Sequence, residues 1–160
     1  MAEWLERANP ANSIDAATGL LNRLEIERQL QTCLNSSRVF SVLVFEWAEL
    51  DSSSVIKQLA DNLVALVRPR DIVGRWGPQQ LAVIFDCSAS EAMARAAKIS
   101  EWLSGGYSVV VDGAAKKIKA QVSVAVVERH PGDTLADLVQ RISGAVTARG
   151  GGSSREQVPA

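Results

Sequence analysis

The sequence predicts an α+β fold, an α/β sandwich whose elements follow the order βαββαβ, with an extra strand and flanking helices. Three observations carry that expectation. Residues 40–45, Phe-Ser-Val-Leu-Val-Phe, are β-branched and aromatic on both faces, as a central strand covered on both sides requires. Two further apolar runs, 72–76 and 80–85, are separated only by Gly77-Pro78-Gln79, which makes them a hairpin. Amphipathic stretches of helical period precede the first run and alternate with the others.

Residues 1–13 read as a lead-in, a short helix around Trp4 and Leu5 followed by the turn-rich Asn9-Pro10-Ala11-Asn12-Ser13. From Asn22 to about Leu34, apolar Leu24, Leu30 and Leu34, with Ile26 and Cys33 beside them, recur among Glu25, Glu27, Arg28 and Gln29. Ile56, Leu59, Leu63, Leu66 and Val67 mark a second helix. Pro69 stops it, because proline cannot donate and disfavours helical geometry in the residue before it. Ser88 with Glu91 three residues on is a capping box opening a third helix to about Leu103, closed by Gly105-Gly106. Residues 107–111, the turn Asp112-Gly113 and residues 119–127 read as a second hairpin. Thr134, with Asp137 as capping partner, starts a last helix carrying Leu135, Leu138, Ile142 and Val146 on one face. The order is a ferredoxin-like split arrangement, one domain over residues 14–149. Residues 150–160 begin Gly-Gly-Gly-Ser-Ser and predict a disordered tail.

At 160 residues and 47% hydrophobic content, the chain fits a single core. Lys and Arg total 17 against 18 for Asp and Glu, so no basic face for nucleic acid is expected. No apolar run approaches the roughly 18 residues that span a membrane, and the first residues lack a signal-peptide pattern, so a cytoplasmic protein without a membrane partner is expected. Cys33 and Cys87 have neither metal-ligand spacing nor redox-pair spacing and read as reduced, largely buried thiols. No cofactor is expected. Trp47, Trp76 and Trp102 read as core in preference to a partner surface. Lys116, Lys117 and Lys119 read as a solvated turn, and His130 beside Pro131-Gly132 as a loop residue.

Residues 15–23, Asp-Ala-Ala-Thr-Gly-Leu-Leu-Asn-Arg, resemble the DxLTGLxNR segment that opens GGDEF domains; eight of nine positions agree, free positions counted, with Ala17 for the usual Leu. Arg68-Pro69-Arg70-Asp71, a five-residue spacer and Gly77-Pro78-Gln79-Gln80-Leu81 are similar to that family's RxxD, spacer and GG(D/E)EF hairpin, in register throughout. Val122-Ser123-Val124-Ala125 is similar to the family's late VSiG strand. The chain is identified from these landmarks as a degenerate member of the GGDEF, or diguanylate cyclase, family. The resemblance implies the palm-like sheet of nucleotidyl cyclases and a place in bacterial cyclic di-GMP signalling.

It also implies what is missing. The family joins two GTP molecules, using carboxylates to hold the metals that neutralise triphosphate charge. One carboxylate ends the first strand, where Glu46 stands, one methylene longer than the usual Asp; the other is the third signature position, here Gln79. We read Glu46 as a vestigial, solvated carboxylate rather than a metal ligand, and expect no metal. Pro78 replaces a Gly whose bare backbone approaches the nucleotide, Gln80 replaces Glu, and Leu81 replaces Phe. Residues 46–54, Glu-Trp-Ala-Glu-Leu-Asp-Ser-Ser-Ser, run straight into the second helix, so about ten residues of the guanine-reading loop are absent against the family pattern. Residues 142–149 lack the phosphate-contacting Lys of the family's last helix. No catalytic residue is assigned.

The RxxD is retained. In the family it is the allosteric site, the I-site, for cyclic di-GMP, which implies Arg68 and Asp71 as principal contacts and Arg70 as a helper. A guanidinium can hold phosphate or guanine's acceptor edge bidentately, and a carboxylate can accept from the base. A second reading gives Arg68 to the helix dipole and Asp71 to the turn. The family's secondary Arg has no match; Ile99 stands near its place and Arg95 one turn earlier. The functional expectation is an inactive GGDEF-like receptor of cyclic di-GMP with a protein partner in that pathway. The alternative is a nucleotide-independent interaction or dimerisation module, and an active cyclase ranks last.

Overall fold

The computed structural model describes residues 13–36, 38–48 and 53–152. The elements in order are α1 (Arg23–Asn35), β1 (Ser41–Trp47), α2 (Ser53–Leu66), β2 (Ile72–Gly77), β3 (Gln80–Phe85), α3 (Ala89–Leu103), β4 (Gly105–Val111), β5 (Ala114–Ala120), β6 (Val122–Glu128) and α4 (Leu135–Gly152). The lead-in helix around Trp4 and Leu5 lies outside the described residues. α4 continues through Gly152, past the boundary at 150, and the rest of the tail lies outside the described residues.

β1 is central because both of its faces are apolar. It pairs antiparallel with β3 on one side and β6 on the other, in the sheet order β2-β3-β1-β6. Strand alternation sorts the side chains into two cores. Leu43, Phe45, Leu81, Val83 and Phe85 pack on one face against Leu59 and Leu63 of α2 and Ala92, Ala96 and Ile99 of α3. Val42, Val44, Ala82 and Ile84 pack on the other against Ile26 and Leu30 of α1 and Leu138 and Ile142 of α4. Each such buried aliphatic or aromatic side chain contributes about 1.5–3 kcal/mol. The expected α/β sandwich with a βαββαβ palm is the observed fold.

The predicted caps are in place. Asn22 accepts from Glu25 N at 2.9 Å at the start of α1, and Ser88 and Glu91 each donate a backbone N–H to the other's side-chain oxygen, at 3.4 Å each, at the start of α3. Thr134 and Asp137 do the same for α4 at 3.1 Å each. At the far end of α1 the Arg129 guanidinium donates to the carbonyls of Leu34 (3.1 Å) and Ser36 (2.9 Å), satisfying groups that a helix end leaves open.

Several expectations need correction. Residues 119–127 are not one strand: β5 ends at Ala120 and β6 begins at Val122, in a different sheet. The partner of β4 is β5, because Asp112 (φ 52°) and Gly113 (φ 80°) form a two-residue left-handed turn that sets Val111 directly opposite Ala114. Gly105 and Gly106 accordingly open β4 instead of closing α3, which is capped by Ser104. Trp102 is 66% exposed, since the buried stripe of α3 runs through Ala92, Ala96, Ile99 and Leu103 and passes it by; Trp47 and Trp76 are core. Cys33 and Cys87 are free but half-buried rather than buried, and desolvation pushes both thiols above their ordinary pKa. Lys116, Lys117, Lys119 and His130 are exposed as expected, but the three lysines lie in β5 rather than in a turn, because residues 114–120 pair with β4.

Asp133, beside the start of α4, supplies a test of how this end is held. Its carboxylate is 7% exposed and accepts from Arg141 at 2.7 and 2.9 Å and from His130 N at 2.7 Å. The Arg141 hydrogen bonds, helped by His130 N, hold its pKa down at about 2. A depressed carboxylate pKa gives stability that is complete above the unfolded value near 4 and is lost as pH falls through the folded value. With Arg141 itself 31% exposed, solvent screening limits the contribution to about 1 kcal/mol. Asp133→Asn is expected to lower the melting temperature at pH 7, and the gap to wild type should close between pH 4 and 2. Thermal unfolding by circular dichroism across that range checks it; a gap independent of pH would disprove the assignment.

Candidate functional site

The signature hairpin is held from both sides. Arg75 of β2 donates to Gly77 O (3.2 Å) and Pro78 O (2.7 Å), and its Nη1 lies 3.3 Å from Asp15. Asp15 also accepts from the backbone and hydroxyl of buried Thr18, at 3.0 and 2.8 Å. Arg75 N donates to Leu21 O at 2.8 Å, and the Arg23 guanidinium lies 4.1 Å from the Trp76 ring centre. The opening motif, residues 15–23, is therefore a latch that docks α1 on β2.

On the inner side of the hairpin, Gln79 and Trp47 are tied to each other: Trp47 N donates to Gln79 O (3.2 Å) and Gln79 Nε2 to Trp47 O (3.4 Å). Glu46 lies directly opposite Gln80 in the β1–β3 register, and Gln80 Nε2 donates to Glu46 Oε2 at 3.3 Å. The expectation of a solvated Glu46 is corrected. The residue is half-buried, and its Oε1 is buried with no hydrogen-bond partner among the described residues. Could a divalent ion sit here? Such an ion wants several oxygen ligands and compensating negative charge. Glu46 is one carboxylate facing the Gln80 amide N–H, and among the described residues no three His, Cys, Asp or Glu side chains come together to hold a metal. The residues present do not fit a pair of magnesium ions.

The RxxD lies at the opposite end of β2. α2 stops at Leu66, and the turn through Pro69 closes with Asp71 N donating to Arg68 O at 3.0 Å. Asp71 Oδ2 accepts from Arg68 N at 2.7 Å, so backbone and side chain lock the same turn. The Arg68 guanidinium then reaches both Asp71 oxygens, with Nε at 3.4 Å and Nη2 at 3.2 Å. The Asp71 side chain is only 1% exposed.

Two residues outside the motif complete the cluster. The Arg95 guanidinium of α3 lies over Phe85, 4.0 Å from the ring centre, with Nη2 3.6 Å from Asp71 Oδ2. Asp86, just past β3, meets Arg68 Nη2 at 3.0 Å and Arg70 Nε at 3.5 Å. Sequence reasoning has Arg95 in view only as a neighbour of the expected position, and it misses Asp86. Hairpin register gives a usable signal: Ile72 opposite Ile84 puts residue 71 level with 85 and residue 70 level with 86. Three arginines and two aspartates thus form one cluster, with Arg68 and Arg95 near the Phe85 ring and a mainly apolar depression lined by Arg38, Phe40, Arg70, Ile72, Ile84 and Asp86 adjoining it.

An antiparallel palm of this topology, with a signature hairpin at one end and an RxxD turn at the other, defines a nucleotidyl-cyclase-type domain. The sequence matches the family described as diguanylate cyclase, GGDEF domain, over residues 12–150, and the chain belongs to that family. A comparison with curated proteins finds no significant match. Among solved structures, it is similar to the coiled coil and GGDEF domain of DgcB from Caulobacter crescentus in complex with c-di-GMP. That likeness has a TM-score of 0.79 and 21% identity over 95% of this chain and 87% of that one. It is similar to diguanylate cyclase SiaD in complex with its activator SiaC from Pseudomonas aeruginosa, with a TM-score of 0.72 and 20% identity over 91% of this chain and 61% of that one. The FimX GGDEF domain from Pseudomonas aeruginosa gives 0.68 and 18% identity over 83% and 90%. Among the described residues, no helix is long and apolar enough to cross a membrane.

Proposed function

We propose that this chain is a catalytically inactive GGDEF domain that serves as a receptor for cyclic di-GMP at Arg68, Arg70 and Asp71. The observation that carries the reading is an arginine cluster: Arg68 and Arg95 meet at the buried Asp71, and Asp86 joins Arg70 to Arg68. Guanidinium groups recognise phosphate and the guanine edge bidentately, and those held in place beforehand lose less entropy on binding. Asp71 is the positioning group: with one carboxylate it fixes the turn and draws in Arg68 and Arg95. Arg95, from α3, stands in for the arginine that the family places one turn later.

Titration calorimetry with cyclic di-GMP tests this. Micromolar binding is expected in the wild type. Loss of a charge-assisted contact should weaken it about tenfold to a hundredfold in Arg68→Ala, and Asp71→Ala should lose it likewise by releasing both arginines. Absence of heat in the wild type at high ligand rejects the receptor reading. It would favour the second reading, an interaction module that needs no nucleotide, for which the exposed Trp102 and Met93 of α3 are the supporting observation.

A further inference from the structure

We propose that Asp86 is a built-in occupant of the arginine cluster: its carboxylate holds the place of a ligand phosphate between Arg68 and Arg70 and must leave before cyclic di-GMP binds. This rests on the receptor reading and states how that same site is regulated.

The placement follows from the fold. Antiparallel pairing of Ile72 with Ile84 continues two residues outward to bring Arg70 level with Asp86, so the fold itself brings the two together. Asp86 offers one oxygen to each arginine, Oδ1 to Arg68 Nη2 at 3.0 Å and Oδ2 to Arg70 Nε at 3.5 Å. Two oxygens of one phosphate group would make the same bridge. The two aspartates differ in what holds them. Asp71 is 1% exposed and bonded to the Arg68 backbone, so it cannot move without opening the turn. Asp86 is 36% exposed, sits just beyond the last residue of β3, and is tied to arginine side chains. An exposed pair of that kind is weak enough to exchange for a ligand.

Charge points the same way. Arg68, Arg70 and Arg95 against Asp71 and Asp86 leave one positive charge; with Asp86 swung away, two remain to face the two phosphates of a cyclic dinucleotide. The resting cluster is thus nearly neutralised by its own chain, and affinity is set by competition between Asp86 and the ligand.

The test is titration of wild type, Asp86→Asn and Asp86→Glu with cyclic di-GMP, with Asp86→Ala as a second neutral variant and melting temperatures recorded for each. Asp86→Asn and Asp86→Ala are expected to bind about fivefold or more tighter than wild type, and Asp86→Glu, which keeps the charge, within roughly twofold of it. Neutral variants that bind equally or more weakly, while wild-type binding is lost in Arg68→Ala, overturn the occupant role, leave the receptor reading standing and make Asp86 a ligand contact. Heat in the neutral variants alone supports the occupant role and rejects the receptor reading for the native chain, whose own Asp86 then holds the site shut. No heat from any protein at millimolar ligand overturns both.

Discussion

Purified protein incubated with GTP and Mg²⁺ or Mn²⁺ is expected to form no cyclic di-GMP above a no-protein control. The geometry gives the reason at the atoms where charge would develop. The position of one metal carboxylate is Gln79, whose amide is turned to the Trp47 carbonyl. The other, Glu46, is engaged by the Gln80 amide at Oε2 and has its Oε1 buried. Pro78 occupies the turn where a bare glycine approaches the nucleotide, and its carbonyl is held by Arg75. Removal of one preorganised charge partner costs on the order of 10²-fold to 10³-fold, and here several parts of one machine are altered together. Restoring one charge with Gln79→Asp is expected to leave the rate at background, because β1 passes to α2 through residues 48–52 with no segment long enough to rebuild a base-reading loop. Product formed by the wild type and abolished by Glu46→Ala would sink this reading.

Much of this architecture is legible in the sequence because its causes are local. The run 40–45 is apolar on both faces, and only a strand between two layers of helix can bury both. Ser88 with Glu91 and Thr134 with Asp137 announce helix starts by hydrogen bonds that span three residues. What escapes depends on pairing or on facing direction. β5 reads Ala-Ala-Lys-Lys at its start, with no β-branched alternation, and becomes a strand because the Asp112-Gly113 turn feeds it against β4. Glu46 looks solvated in sequence because its surroundings are set by Gln80 on another strand. Asp86 and Arg95 belong to the RxxD cluster through strand register and through the way α3 lies over Phe85. A motif read along one segment sees neither.

The largest effect on stability is expected from Gly74→Ala, at the point where the latch meets the sheet. Gly74 lies in β2, bridged in parallel to Leu21, three residues beyond Asp71. A β-carbon there would stand 2.4 Å from Ile26 Cδ1, 2.6 Å from Ile26 Cγ1 and 2.8 Å from the Leu21 carbonyl oxygen. Ile26 is 1% exposed in the core beneath α1, so its side chain has little room to turn aside. The Leu21 carbonyl cannot retreat without lengthening the 2.8 Å hydrogen bond from Arg75 N, and that strains the Asp15–Arg75 pair beside it. Overpacking of this kind costs about 1–3 kcal/mol, and the lost hydrogen bond adds about 1 kcal/mol. For a chain of this length, that corresponds to a fall in melting temperature of roughly 5–15 °C. Gly144→Ala is the internal control. Gly144 lies on the exposed side of α4, where a β-carbon would meet nothing within 4 Å, and alanine in a helix is favoured over glycine by about 1 kcal/mol. Thermal unfolding should therefore move the two variants in opposite directions, and a Gly74→Ala protein as stable as wild type would show that α1 is not latched to β2 through this contact.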